Sequence, residues 1–508
     1  MPHFVNETQP RKTTRAGAII FCLLFLVGCS ERPQPVTILY TNDMHGHFLP
    51  WPALRDKPPI GGFAALDYYV ENERNIDPRA LLFDCGDLMT GNLICNIEYR
   101  GAEGGALIEM MNMIGYDGMV FGNHELDKPI SNLRKFMEIA EFPFVCANFT
   151  DSAGNDFTRE KYHIYNLGGV KVGVTGVTYH RMAGMADPDN LEGFNSTDPA
   201  DAINRVIPEL DPQTDLIVVL SHLGIEADRE LARKIKGVDI ILGGHSHTRL
   251  DQPEKINGIL ICQAGSHARY LGKLTLQVAG DSIFSWHDTI IAMVADNIKA
   301  DTVLQALIDS MAGIIEEKFG AVIGTLASDW ETAYQSESNI GNWVTDMLRA
   351  KTGADIAIVN SGGIRKRIPA GPITLRDVYE MLPFDNYVSF FDCSGDDLQT
   401  IFAANADAEA GERSYGSLQI SGASYAYEIR NGKPIVGEMK IGGKRLDPKK
   451  IYRIATIDYV ISNADKYFKI TPSNIKETNL LLSDLIVECI KEAKVIDSKV
   501  EGRIKRKG

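Results

Sequence analysis

The sequence predicts an α/β layered protein in two halves joined by a long helix, and three observations predict it. Apolar runs of four to eight residues recur through residues 36–295, each followed by a helical pattern, which marks strands buried on both faces. Across residues 296–319, Val303, Leu304, Leu307, Ile308, Met311 and Ile314 recur at helical spacing, with Gly320 as the stop, so 296–320 reads as a connector. The strand–helix alternation then resumes over 321–500 with different motifs, and 501–508 reads as a basic, solvated tail. A chain of 508 residues suits two large domains better than one.

The N-terminus reads as a targeting segment. Arg11, Lys12 and Arg15 precede an apolar stretch, 16–27, that is too short to span a bilayer. It ends Leu26-Val27-Gly28-Cys29, which resembles a bacterial lipobox: residues 1–28 would be removed and Cys29 acylated, leaving 29–35 as a tether. The globular part is then expected outside the cytoplasm on a membrane, periplasmic or cell-surface. Losing residues 1–28 removes three basic residues and one acid, taking the formal charge from −15 to −17. That charge argues against nucleic-acid polymers but leaves small anions open, since metals or a few Arg reverse the sign locally. Cys85, Cys95, Cys146, Cys262, Cys393 and Cys489 are scattered, with no Cys-x-x-Cys. Cys85, Cys146 and Cys262 lie in apolar runs and read as core thiols, with a Cys85–Cys95 bridge as the open alternative.

Taken in order, the strands carry chemistry at their ends. Residues 36–40 lead into Asp43-Met44-His45-Gly46-His47, and 63–69 reads as a helix. Residues 80–83 end in Asp84-Cys85-Gly86-Asp87, followed by a helical 106–113. Residues 119–121 end in Gly122-Asn123-His124-Glu125-Leu126-Asp127, with helix 130–139 after them; a further strand, 144–147, ends at Asn148. Residues 162–178 read as a hairpin; 216–220 end in Ser221-His222 and 238–242 in Gly243-Gly244-His245-Ser246-His247. Leaving Asn148 aside, five strand ends carry Asp, His or Asn, and in open α/β sheets such ends converge on one crevice.

Oxygen and nitrogen donors without Cys suit a divalent ion such as Mn, Zn, Co, Fe or Mg. Six or seven donors exceed one ion's needs, so two ions sharing a carboxylate are expected, about 3.5–4 Å apart, as suits in-line displacement at phosphorus by metal-bound hydroxide. His124 and Asp127, three apart, suit an imidazole oriented by an acid. His47 reads as a solvated loop residue, Asp84 as a turn or supporting group, and Glu125 as supporting or exposed.

Asp-x-His, Gly-Asp, Gly-Asn-His-Glu-x-Asp, Ser-His-x-Gly and Gly-Gly-His-x-His, in this order, resemble the calcineurin-like metallophosphoesterases, and among them the bacterial 5′-nucleotidase/UDP-sugar hydrolase family. The resemblance implies a four-layer α/β/β/α catalytic domain and an α/β substrate domain. It implies that Asp43, His45 and His247 hold one metal, that Asp87 bridges, and that Asn123, His222 and His245 hold the second. His124, oriented by Asp127, would face the phosphoryl oxygens.

In the second half a Gly pair after the apolar run 356–359 (Asn360-Ser361-Gly362-Gly363-Ile364-Arg365) exposes amides to an anion beside a guanidinium. By the resemblance, Asn360, Gly363 and Arg365 bind substrate, Phe384 and Tyr459 sandwich a base, and Asp465 binds the nucleoside. Two departures stand out: Tyr334 occupies the place of a family Arg, and the Gly pair before Asp465 is absent. Lys366 and Arg367 are expected to compensate. The leading expectation is a lipid-anchored 5′-nucleotidase. A cyclic-nucleotide phosphodiesterase, a nucleotide-sugar hydrolase, a thiosulfohydrolase on the same metal core, and a non-catalytic nucleotide-binding lipoprotein are the alternatives.

Overall fold

The computed structural model describes residues 33–51, 58–180, 188–191, 193–384, 386–411 and 416–507; the expected signal segment at 1–28 and the expected lipidation site Cys29 lie outside them. The N-terminal half contains β1 (Gln34–Thr41), α1 (Phe63–Ile76), β2 (Leu81–Asp84), α2 (Gly105–Ile114), β3 (Gly118–Met119) and α3 (Ile130–Ile139). There follow β4 (Tyr162–Leu167), β5 (Val170–Thr178), α4 (Pro199–Leu210), β6 (Leu216–His222), α5 (Ile225–Lys234) and β7 (Ile240–Gly243). The series closes with β8 (Glu254–Ile256), β9 (Ile259–Cys262), β10 (Tyr270–Val278), β11 (Ile283–Ala292) and α6 (Thr302–Phe319).

Two mixed sheets result, ordered β11-β10-β1-β2-β3 and β8-β9-β7-β6-β5-β4. Alternation along the strands of the second sheet shows why they stack. Leu216, Val218, Leu220, Ile240 and Leu242 join the core shared with the first sheet, while Ile217, Val219 and Ile241 pack against Ile203 of α4 and Leu231 of α5. With α1, α2 and α6 on the outer side of the first sheet, the layers read α/β/β/α. The second half has its own core around a five-stranded sheet: Leu418–Ser421, Ile356–Asn360, Ile451–Ile457, Tyr387–Ser394 and Ser473–Leu481.

Several expectations are corrected. Strand β1 starts at Gln34, which shortens the tether. Residues 144–147 form no ladder: Phe144 and Val145 make only isolated bridges, to Met119 and Glu160, as the chain turns to Asn148, whose amide brackets Thr178. The connector helix begins at Thr302 because Asp301 caps it, its carboxylate accepting from Val303 N and Leu304 N. Its buried stripe is Leu304, Ile308, Met311 and Ile315, with Val303 exposed, so α6 is fastened to the N-terminal core. Its C-terminal end meets the second half through Phe319 against Tyr379. The C-terminal tail is no solvated end. Ile504–Lys507 pairs in parallel with Ala423–Arg430, and buried Arg503 bonds Asp346 at 2.6 Å and donates to Ile420 O at 2.8 Å. Cys85 and Cys95 are both free and buried.

Candidate metal centre and substrate cleft

The five strand ends meet at one place. Asp43, His45, Asp87, His245 and His247 all have positive φ, between 49° and 71°. A left-handed non-glycine residue costs roughly 1–2 kcal/mol. Hydrogen bonds hold the loops in that form: Asp43 N to Gly86 O (2.9 Å), His45 N to Asp87 O (3.0 Å) and His245 N to Asp43 Oδ1 (2.9 Å). Bulk is excluded too, since a Cβ on Gly122 would lie 2.3 Å from Asp87 Oδ1.

Among the described residues, three overlapping sets each bring their donor atoms within 4.8 Å of one another: Asp43, His45 and His247; His45, Asp87 and His124; Asp87, His222 and His245. His45 Nδ1 faces Thr90 O at 2.8 Å and Met89 O at 3.1 Å, so it donates there and leaves Nε2 a bare lone pair, 2.9 Å from His247 Nε2. His222 Nδ1 faces Cys85 O at 2.6 Å; its buried Nε2 sits 3.1 Å from Asp87 Oδ2 but out of line for a hydrogen bond, and is left without a partner. Asn123 Oδ1 lies 2.9 Å from His245 Nδ1. Inward lone pairs beside two buried carboxylates fit a pair of divalent ions and little else.

The charges agree with that fit. Burial, then Asp87, raises Asp43 to about 7. Asp87 is held well below the usual carboxylate range, because His222 and His124 outweigh its burial. Burial opposes charge on His222, yet Asp87 and Asp43 raise it to about 10. The field that draws a proton there draws a metal ion equally. Burial lowers His247 to about 3 and His245 to about 4, and keeps His45 neutral, all forms suited to ligation. His124 differs: despite burial, Asp127 and Asp87 raise it to about 9. Its Nδ1 lies 2.7 Å from Asp127 Oδ2, which also accepts from Thr90 Oγ1 at 2.6 Å.

Of the supporting residues, Asn42 and His267 carry no signal in the sequence, whereas Glu125 takes the supporting one of its two expected places. Glu125 is fully buried; its carboxylate accepts from Gly122 N (2.6 Å), Met89 N (2.9 Å) and Asp87 N (3.0 Å). Asn42 bonds Asp43, Ala264 and Gly265. His47 is not a solvated loop residue: it stacks on Trp51 at 4.6 Å and meets His267 edge-on at 4.7 Å. His267 also lies against His45 and His247, at 5.5 and 5.3 Å. The segment Ser266-His267-Ala268, with two positive φ angles, carries no motif by which it would have been found. Asp84 takes hydrogen bonds from Thr41 and Gly86, supporting its turn.

The second half closes over this centre. The Phe384 ring is 5.9 Å from His124, and Arg365 Cζ is 6.0 Å above Phe384. Asn360 Oδ1 is buried without a hydrogen bond, with Gly363 packed against it, where a Cβ would come within 3.1 Å. Tyr459 meets Tyr467 at 6.4 Å. Asp465 is exposed on the short helix Ala464–Tyr467, and it is the charge of its neighbour Lys466 that reaches His245. Lys366 and Arg367 do not compensate for Tyr334: Lys366 is held by Asp377 at 2.8 Å and Glu380 at 2.5 Å, and Arg367 by Glu331 at 2.8 Å and Asp329 at 2.9 Å. The Tyr334 backbone carbonyl takes Ser361 Oγ at 2.6 Å and its ring lies over Gly362 and Gly416.

Comparison with known proteins agrees with this arrangement. Residues 36–249 match the calcineurin-like phosphoesterase family, and residues 322–471 the 5′-nucleotidase C-terminal domain family. The chain is 29% identical to a trifunctional nucleotide phosphoesterase protein of Bacillus subtilis, over 92% of this chain but only 35% of that protein. It is 28% identical to a 5′-nucleotidase of Vibrio cholerae, over 91% of this chain and 92% of that one. The crystal structure of a 5′-nucleotidase precursor from Thermus thermophilus superposes with a TM-score of 0.83 at 28% identity, covering 93% of this chain and 99% of that one. Calcineurin-like phosphoesterases work with two divalent metal ions, in keeping with the donor sets above. The chain therefore belongs to the calcineurin-like metallophosphoesterases that carry a 5′-nucleotidase C-terminal domain, and is a metal-dependent phosphoester hydrolase.

Proposed function

We propose that this hydrolase is a 5′-nucleotidase, releasing phosphate and nucleoside from nucleotides outside the cytoplasm, and that lipid on Cys29 holds it to a membrane. The observation that carries the catalytic reading is Phe384, brought by the second half to 5.9 Å from His124, with Arg365 beside it. An aromatic and a guanidinium next to a metal-type cluster suit a substrate with a planar base at one end and a phosphate at the other.

Asp43, His45 and His247 would hold one ion, Asn123, His222 and His245 the other, with Asp87 shared. When bound, the ions supply positive charge to the phosphoryl oxygens and acidify water. Arg365 forks onto the phosphate, and Asn360 and Gly363 line the approach. Phe384 and Tyr459 take the base, and Asp465 the nucleoside edge. His124, kept cationic by Asp127, faces the developing negative charge, and its Nε2 is 3.9 Å from Asp87 Oδ2.

Tyr334 supports a second reading. With an uncharged phenol where a second guanidinium is expected, the same centre suits a substrate making less demand on the clamp: a 2′,3′-cyclic nucleotide, a UDP-sugar or a thiosulfonate. The test follows the products by chromatography, with Mn, Zn and Co added separately: phosphate and nucleoside from AMP and ATP, UMP and glucose 1-phosphate from UDP-glucose, a nucleoside monophosphate from 2′,3′-cyclic AMP, and sulfate from a thiosulfonate. AMP is expected to be hydrolysed, with loss of activity on chelation and in Asp87→Ala. Full activity of Asp87→Ala would sink the mechanism. An unchanged KM for AMP in Phe384→Ala and Tyr459→Ala would remove the base sandwich and transfer the case to the second reading.

A further inference from the structure

The two ends of β1 face different surroundings. Thr41 leads directly into Asp43 and the metal centre, and Gln34, at the other end, lies some 23 Å away at about 3.3 Å of rise per residue. At the Gln34 end, Gln34 pairs with Val278, and β10 turns into β11 through a hairpin closed by Ala279 N to Ser282 O at 3.1 Å. A register shift at Gln277/Val278 leaves Phe284 standing out of the ladder, 66% exposed. Helix α1 also ends on this side, at Ile76, because the chain re-enters the sheet at Leu81, parallel to β1. Ile76 is 75% exposed, and it and Phe284 are the two most exposed large apolar side chains among the described residues. Phe284 stands level with Gln34 across β10, and Ile76 lies at the turn into Leu81, opposite Ile38 farther along β1.

Chain length identifies the occupant. Only residues 30–33 separate Cys29 from Gln34, so an acylated Cys29 can lie no farther than about 18 Å from the sheet end. From this, and resting on the reading that Cys29 is acylated, we propose that the Gln34 pole, with Phe284 and Ile76, lies on the bilayer surface. The metal centre is then held at the opposite pole, open to dissolved phosphoesters and out of reach of lipid headgroups in the same leaflet. Four residues of tether leave too little slack for the globule to turn over.

The test uses full-length protein reconstituted into phosphatidylethanolamine/phosphatidylglycerol vesicles containing a doxyl-labelled lipid. The six cysteines of the described residues are all buried, so a thiol-reactive dye reports an introduced one. Phe284→Cys places the dye at the proposed membrane face, and Asp251→Cys places it on the loop beyond His247, at the other pole. Contact at the headgroup level predicts about a twofold loss of fluorescence at position 284 and none at 251, against vesicles without quencher. The mass of the N-terminal peptide, read on the same sample, decides the anchoring separately. An acylated Cys29 with no quenching at 284, or with equal quenching at both positions, overturns the orientation and leaves the anchor standing; an unmodified Cys29 overturns both. In an acylated Phe284→Asp/Ile76→Asp chain with a dye at position 283, quenching is expected to weaken; unchanged quenching would show that the two side chains do not form the contact and overturn their role.

Discussion

Glu125 touches no substrate position, yet it fixes the loop that carries Asp87. Its two oxygens take three backbone N–H groups, two of them from residues 36 and 38 positions away. Glu125→Gln turns one acceptor into a donor against a buried N–H, a mismatch of about 1–3 kcal/mol. We expect kcat/KM to fall about 10–100-fold, with weaker metal binding and Asp87 still in place; titrating metal against activity separates this from global unfolding, which thermal melting reads. The residue scale also shows what was legible. Asp43, His45, Asp87, Asn123, His124, His222, His245 and His247 announce themselves because each follows an apolar run. Glu125 and Asn42 announced no partner, since theirs come from distant loops, and the left-handed backbone of five donors has no signature in residue type. His47 was misread because its stacking partner, Trp51, sits in a segment without periodicity.

At the scale of elements, a buried tie joins the strands of the first sheet. Tyr40 of β1 donates to Asp288 of β11 at 3.0–3.1 Å, across β10. Burial raises Asp288 from 3.8 to about 6, despite the hydrogen bond from Tyr40. The folded chain thus binds this proton more tightly than the unfolded one, and stability falls as pH rises from about 4 through 6. Above that window the loss amounts to roughly 2–3 kcal/mol. Asp288→Asn keeps an acceptor for Tyr40 without the charge. It is expected to be the more stable chain at pH 8 and no more stable at pH 4, as urea titrations at both pH values would read. Elements with one strong period were predictable: α3 falls on residues 130–139 as expected. Ends set by a single cap were not, as Asp301 shows by starting α6 six residues late. The C-terminal strand was missed because Lys505, Arg506 and Lys507 look like a tail unless the edge they pair with is known.

At the scale of the molecule, the proposed function puts substrate choice in the cleft between the halves. Its N-terminal wall is rich in ligands, while its C-terminal wall offers Arg365 and, in place of another guanidinium, Tyr334. A charge-assisted hydrogen bond contributes about 1.5–3 kcal/mol, so Tyr334→Arg is expected to lower KM for AMP about tenfold or more, with a smaller change in kcat; steady-state kinetics would check it. If KM for AMP stays constant, position 334 does not face the phosphate. Two domains with a connecting helix could be read from hydrophobic period, but the meeting of Phe384 with His124 could not, because no local pattern encodes how two cores dock. The buried thiols have a consequence of another kind. Cys85, Cys95, Cys146, Cys262, Cys393 and Cys489 are free and buried in the folded chain, each out of reach of an oxidant only once its core has closed. Under the export proposed above, into an oxidising compartment, maturation becomes a race between core formation and disulfide chemistry. Refolding from denaturant is expected to give a higher yield of active protein with a thiol reductant than with oxidised glutathione, while the folded protein should withstand either.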